Sequence, residues 1–201
     1  YHAAKLRRFQ EYYDYLTFHD NQKLFNSLNV KYLIGKDDQD QDQLYVNPDA
    51  LGNAWSVDSL LILNNPDELL NKLKDTDISK IALGLKNSIP KDLPQTFESN
   101  DLIKIEKVKN SSSDLTYNYN ALSEQLIVFS EIYYPSGWEV FIDGERSNFF
   151  DINYLLRGMI IPEGNIWKTS VYCCFSTSSS LFLCSSDMFM RVDNIYMISI
   201  L

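Results

Sequence analysis

Three groups of side chains ahead of the cysteine-bearing tail carry ligating or reactive atoms: an acidic run, scattered glutamates and two histidines. Asp38, Asp40 and Asp42 stand at alternate positions, with Asp49 eleven residues after Asp38. The pattern echoes a calcium loop, but Gln43 occupies the place where the sharp turn needs glycine, and the closing bidentate Glu is absent. A solvated loop is the better reading. Glu124, Glu131 and Glu139 would supply the paired carboxylates of glycoside hydrolysis only if they converge in space, which their spacing does not establish. His2 and His19 have no Cys or second His at ligand spacing and no neighbouring Ser nucleophile. No metal, cofactor or catalytic residue is assigned, and the chain is not read as an enzyme.

The aromatic residues offer recognition instead of reaction. Asn47, Pro48, Gly52, Asn53 and Trp55 form a compact turn before a strand. Trp55 either stacks on a sugar or plugs the core, and the area a Trp buries favours the core. Tyr133, Tyr134, Pro135, Gly137 and Trp138 join two strands, with Pro135 pre-setting a turn and Gly137 giving freedom in φ. Trp138 begins an alternating strand and reads as core, whereas an exposed Tyr134 would be free to meet carbohydrate. Tyr134, Trp138 and Trp55 are thus the candidate glycan contacts. Arg157 lies in an apolar run, where pairing with Asp151 or Glu131 is expected as a structural ion pair.

The elements that must hold these residues can be read from periodicity and punctuation. Leu6, Phe9, Tyr13 and Leu16 have helical spacing within residues 3–18, and a second helix spans residues 21–28. Strands are expected at 30–34, 44–46, 58–63 and 78–85. Between the last two, Asn65 caps a helix with Pro66 in its first turn and acidic residues near its positive end. From about residue 102 the period changes to two. Leu115, Tyr117, Tyr119 and Ala121 alternate with polar residues, 126–132 follows, and Trp138, Val140 and Ile142 run into the hairpin signal Asp143-Gly144. Residues 149–150 and 152–161 are two further strand runs. The expected class is α+β: N-terminal helices with a small α/β segment over residues 1–100, then an antiparallel β-sandwich, Ig-like or jelly-roll-like, over residues 101–165.

Composition limits the functions on offer. The 201 residues are 45% hydrophobic and 22% charged, a globular mixture able to bury a core. A net charge of −9 argues against nucleic acid and against anionic lipid surfaces, which call for basic faces. No apolar run reaches the ~18 residues of a membrane span. The chain opens on Tyr1, so it reads as a piece of a longer protein whose signal or anchor would lie upstream.

Character changes near Gly164. Cys173, Cys174 and Cys184 all fall after it, Ser becomes frequent, and Gly and Pro disappear. Residues 166–201 therefore read as an atypical tail, and the sandwich as lacking its native last strand. Shifting the reading frame by one base at Trp167 and Lys168 forces a glycine codon and permits a β-rich continuation, so a frame-shifted origin of the tail is one expectation.

Five phrases carry a resemblance: residues 1–14 (YHAAKLRRFQEYYD), 24–34 (LFNSLNVKYLI), 47–55 (NPDALGNAW), 133–144 (YYPSGWEVFIDG) and 153–164 (NYLLRGMIIPEG). In this order they resemble the C-terminal extracytoplasmic part of the bacterial YfhO family of polytopic membrane proteins, in its Bacteroidetes-like form. The resemblance implies a parent related to glycosyltransferases that use a polyprenyl-phosphate sugar donor, with the acidic catalytic residue on an early outer loop that this chain does not include. It implies an extracytoplasmic location tethered to the cytoplasmic membrane, with the parent's transmembrane portion as the partner. Packing over that membrane core, and helping to hold a glycan or lipid-linked sugar, would be the role. A free-standing carbohydrate-binding module is the alternative.

Overall fold

The computed structural model describes residues 7–18, 22–98, 104–110, 114–135, 138–173, 187–192 and 195–200; His2, His19, Gly137, Cys174 and Cys184 lie outside them. Its elements are α1 (Arg7–Phe18), α2 (Gln22–Ser27), β1 (Val30–Lys36), β2 (Asp42–Val46), β3 (Ala54–Val57), β4 (Ser59–Leu63), α3 (Pro66–Asp75) and β5 (Ile81–Leu85). There follow β6 (Lys104–Asn110), β7 (Asp114–Ala121), β8 (Gln125–Ile132), β9 (Trp138–Ile142), β10 (Glu145–Ser147), β11 (Phe150–Ile152) and β12 (Leu156–Ile161). The last three are β13 (Gly164–Cys173), β14 (Asp187–Val192) and β15 (Ile195–Ile200). The fold is a β-rich α+β arrangement, mostly antiparallel.

One sheet, β11-β12-β8-β3, organises the rest. Along β8 the alternate residues Leu126 and Val128 join one core, while Ile127 and Phe129 join another. The unbroken hydrophobic run from Leu126 to Phe129 is what burial on both faces requires. Against one face lie α1, α3 and the parallel pair β4-β5, contributing Phe9, Tyr12, Leu69, Leu73, Leu60 and Leu83. Against the other lies the sheet β10-β9-β13-β7-β6, through Leu115, Tyr117 and Tyr119 of β7 and Trp138 and Val140 of β9. The packing crosses the change of period expected near residue 100: β3 pairs with β8, from Ala54↔Phe129 to Val57↔Leu126.

Local chemistry explains most boundaries. Asn65 Oδ1 accepts from the Asp67 amide at 2.8 Å, and Pro66 opens α3 with Asp67 and Glu68 in its first turn. Asp143 and Gly144 have φ of 49° and 88°, and Ile142 faces Glu145 across the reversal. Two positive φ values in a two-residue connection match the strand twist, and glycine takes such a value without strain.

One expectation needs correction. The run 152–161 is not one strand: the chain reverses at Asn153 and Tyr154, at φ of 49° and 70°, so that β11 pairs antiparallel with β12. Asn153 pays for this through Leu83, whose amide donates to Asn153 Oδ1 at 2.8 Å while the Asn153 amide donates to the Leu83 carbonyl at 2.7 Å. Between β7 and β9 lies β13, which runs into the atypical tail, with pairs such as Thr169↔Tyr117 and Val171↔Val140. A ladder of backbone groups accepts any segment of adequate β-propensity, and Trp167, Thr169, Val171 and Tyr172 supply it.

Candidate functional site

Among the described residues, Arg157 and its surroundings form a concentrated patch of buried polar chemistry. Arg157 on β12 and Glu131 on β8 both point between the two large sheets, where their side chains are 0% and 6% exposed. Arg157 Nη2 donates to Glu131 Oε2 at 2.8 Å, and the Tyr117 hydroxyl donates to the other carboxylate oxygen. Of the two carboxylates expected for Arg157, Glu131 is the partner. Among the described residues, Nε and Nη1 of Arg157 are buried without a hydrogen-bond acceptor. Aromatic faces stand in for one: the guanidinium carbon lies 4.8 Å from the Phe129 ring centre and 5.0 Å from that of Trp138. Burial and the Glu131 charge push the Tyr117 hydroxyl well above its ordinary pKa, so it stays a donor.

Asp151 has a different partner. Arg8 Nη1 of α1 donates to Asp151 Oδ2 at 2.6 Å, and the Arg8 guanidinium carbon lies 5.0 Å from the centre of the Tyr154 ring. The Tyr154 hydroxyl donates to Glu11 Oε2 at 2.6 Å, and Arg7 Nε donates to Glu11 Oε1 at 2.7 Å. These bonds hold Glu11 below its usual carboxylate range, the tyrosine contributing most. Burial raises the Asp151 carboxyl against the opposing pull of Arg8, and burial likewise takes the Tyr154 hydroxyl up to about 12. Arg7, Arg8, Ile132, Tyr133, Tyr154 and Leu155 line a cleft of about 260 Å³ beside this cluster. Tyr154 stands in its wall in a left-handed backbone conformation, at a cost of about 1–3 kcal/mol for a residue other than glycine.

The remaining candidates are dispersed. Trp55 is buried and its Nε1 donates to the Ile78 carbonyl at 3.1 Å; Trp138 is buried against Arg157. Neither offers a ring face to a sugar, which corrects their candidacy as glycan contacts, because each is spent on filling a core. Tyr134 is half-buried and Pro135 exposed. The turn residues are architectural. Asn47 Nδ2 donates to Asn26 Oδ1 at 2.9 Å and to the Val30 carbonyl at 2.7 Å. Asn53 Oδ1 accepts from Asn29 Nδ2 at 3.1 Å, and Gly52 has a φ of 83°. Pro48 sits exposed beside them. In the acidic loop Asp37 Oδ1 accepts from the Gln39 and Gln41 amides, and Asp42 pairs with Lys36 at 2.9 Å. Glu139 pairs with Arg146 at 3.0 Å on the outer side of β9, away from Glu131.

Sequence reasoning missed the cleft. Its one local sign is the Arg7-Arg8 pair in a chain of net charge −9, since Asp151 lies 143 residues from Arg8. Comparison with family models, curated proteins and solved structures gives no match.

Proposed function

We propose that this chain is a non-catalytic extracytoplasmic domain of a YfhO-like membrane protein, an α/β segment followed by an antiparallel β-sandwich. In this reading it packs over the membrane core of a parent related to polyprenyl-phosphate-sugar glycosyltransferases and helps to position a glycan or lipid-linked sugar there. The observation that carries the reading is the ordered set of five phrases across residues 1–164. Their distinctive residues do scaffold work: Trp55 and Trp138 fill cores, Asn47 and Asn53 clasp a turn, and Arg157 ties two sheets together. Residues selected for architecture are what a covering domain needs.

The test is removal of this region from the full-length gene, with sugar transfer and protein level measured in membranes. Loss of transfer or of protein supports the reading. Unchanged transfer at unchanged protein level would overturn it, as would a gene that encodes no hydrophobic helices upstream.

A further inference from the structure

The cleft beside α1 has the makings of a ligand site. Two guanidiniums reach it from adjacent positions, yet each spends only one nitrogen on protein: Nε of Arg7 on Glu11 and Nη1 of Arg8 on Asp151. Among the described residues, Nη1 and Nη2 of Arg7 and Nε and Nη2 of Arg8 make no hydrogen bond. An arginine fork that is already oriented matches the paired oxygens of a carboxylate or phosphate. Glu11 and Asp151 supply that orientation, and the Tyr154 ring under Arg8 adds to it. Orientation before binding lowers the entropy a ligand must overcome.

The rest of the lining is Ile132, Leu155 and the rings of Tyr133 and Tyr154. At about 260 Å³ the space falls just below the ~300–1,000 Å³ of ordinary ligand pockets, so it suits a small molecule. Guanidinium nitrogens are donors with no lone pair to give a metal cation, and a chain of net charge −9 gives no basic track for a nucleic acid. We infer that the cleft binds a small organic oxyanion, a carboxylate or phosphate group on an apolar body: the arginine forks take the charged group, and Tyr133, Ile132 and Leu155 take the body. This site is independent of the family reading above.

Titration of the ¹⁵N-labelled 201-residue chain, followed by amide NMR, tests the inference with four probes: benzoate, phenyl phosphate, inorganic phosphate and benzyl alcohol. Saturable shifts centred on the six lining residues are expected with benzoate, phenyl phosphate or both, and which of them binds identifies the charged group. Inorganic phosphate lacks the body and benzyl alcohol lacks the charge, so each binds at least about tenfold more weakly. Arg7→Gln, at a side chain 91% exposed, leaves the melting temperature unchanged and weakens binding about tenfold. Arg8→Lys keeps a cation for Asp151 but loses the fork, and weakens binding similarly. Scattered or non-saturating shifts with every probe overturn the inference. So does equal affinity for benzyl alcohol, or undiminished affinity in Arg7→Gln.

Discussion

At the scale of single residues, the carboxylates that meet arginines in this fold are placed under different constraints. Glu131 lies with Arg157 in a sealed space between sheets, so removing either partner strands a buried charge. Arg157→Ala or Glu131→Ala is expected to cost about 3–5 kcal/mol, whereas the double replacement Arg157→Met with Glu131→Leu restores most of that loss. Urea unfolding of the three variants checks this, and a double variant as unstable as the worse single one would contradict it. Glu11 and Asp151 respond to pH in opposite senses. Glu11 titrates below its ordinary range when folded, so its stabilising contribution is present above the unfolded pKa and is lost as pH falls through the folded one. Asp151 titrates above its range, so its protonated form favours the fold, and that contribution declines as pH rises through the folded pKa. Carboxyl ¹³C NMR on the two sites reads both directions; a depressed Asp151 or a raised Glu11 would contradict the assignment of causes.

At the scale of elements, tight packing around β5 gives the sharpest expectation. A Cβ on Gly84 would lie 2.5 Å from Cδ1 and Cγ1 of Ile89, which is itself buried. Gly84→Ala therefore forces Ile89 aside and is expected to destabilise by about 1–3 kcal/mol, measured by denaturant unfolding. Reading such elements from sequence succeeded where the cause is local. Asn65-Pro66 announced α3, the alternation of Leu115, Tyr117, Tyr119 and Ala121 announced the buried face of β7, and Asp143-Gly144 announced the β9–β10 reversal. It failed where the cause is distant. The Asn153–Tyr154 reversal is hidden in an apolar run because its support comes from Leu83, on another strand. The short β3 is hidden because its pairing residues lie on β8, and the Arg8–Asp151 contact because helix and hairpin meet only through the tertiary fold. Tyr12, fully buried on α1 with its hydroxyl 2.9 Å from Ser27 Oγ, was displaced from the expected apolar stripe by Tyr13 for the same reason.

At the scale of the whole molecule, β13 joins strands from well-separated parts of the chain. It lies between β7 and β9, so a chain ended after Asn165 leaves both of those strands with open ladders. Exposed edges of this kind invite pairing between molecules, and the shortened chain is expected to aggregate where the full chain stays in solution. Size-exclusion chromatography decides between the two, and an equally monodisperse shortened chain would show that β13 is dispensable. Sequencing the encoding DNA across residues 160–175 separately decides whether the segment that fills this position is read in its original frame.

The threading of β3 into the layer led by β8 has a bearing on how the protein can be divided. Severing the backbone in the connector near residue 100 would not release two autonomous bodies, since the N-terminal piece would keep a strand whose hydrogen-bonding mate travels with the other piece. Each fragment carries half of a lock, and the two halves made apart would be driven to find one another.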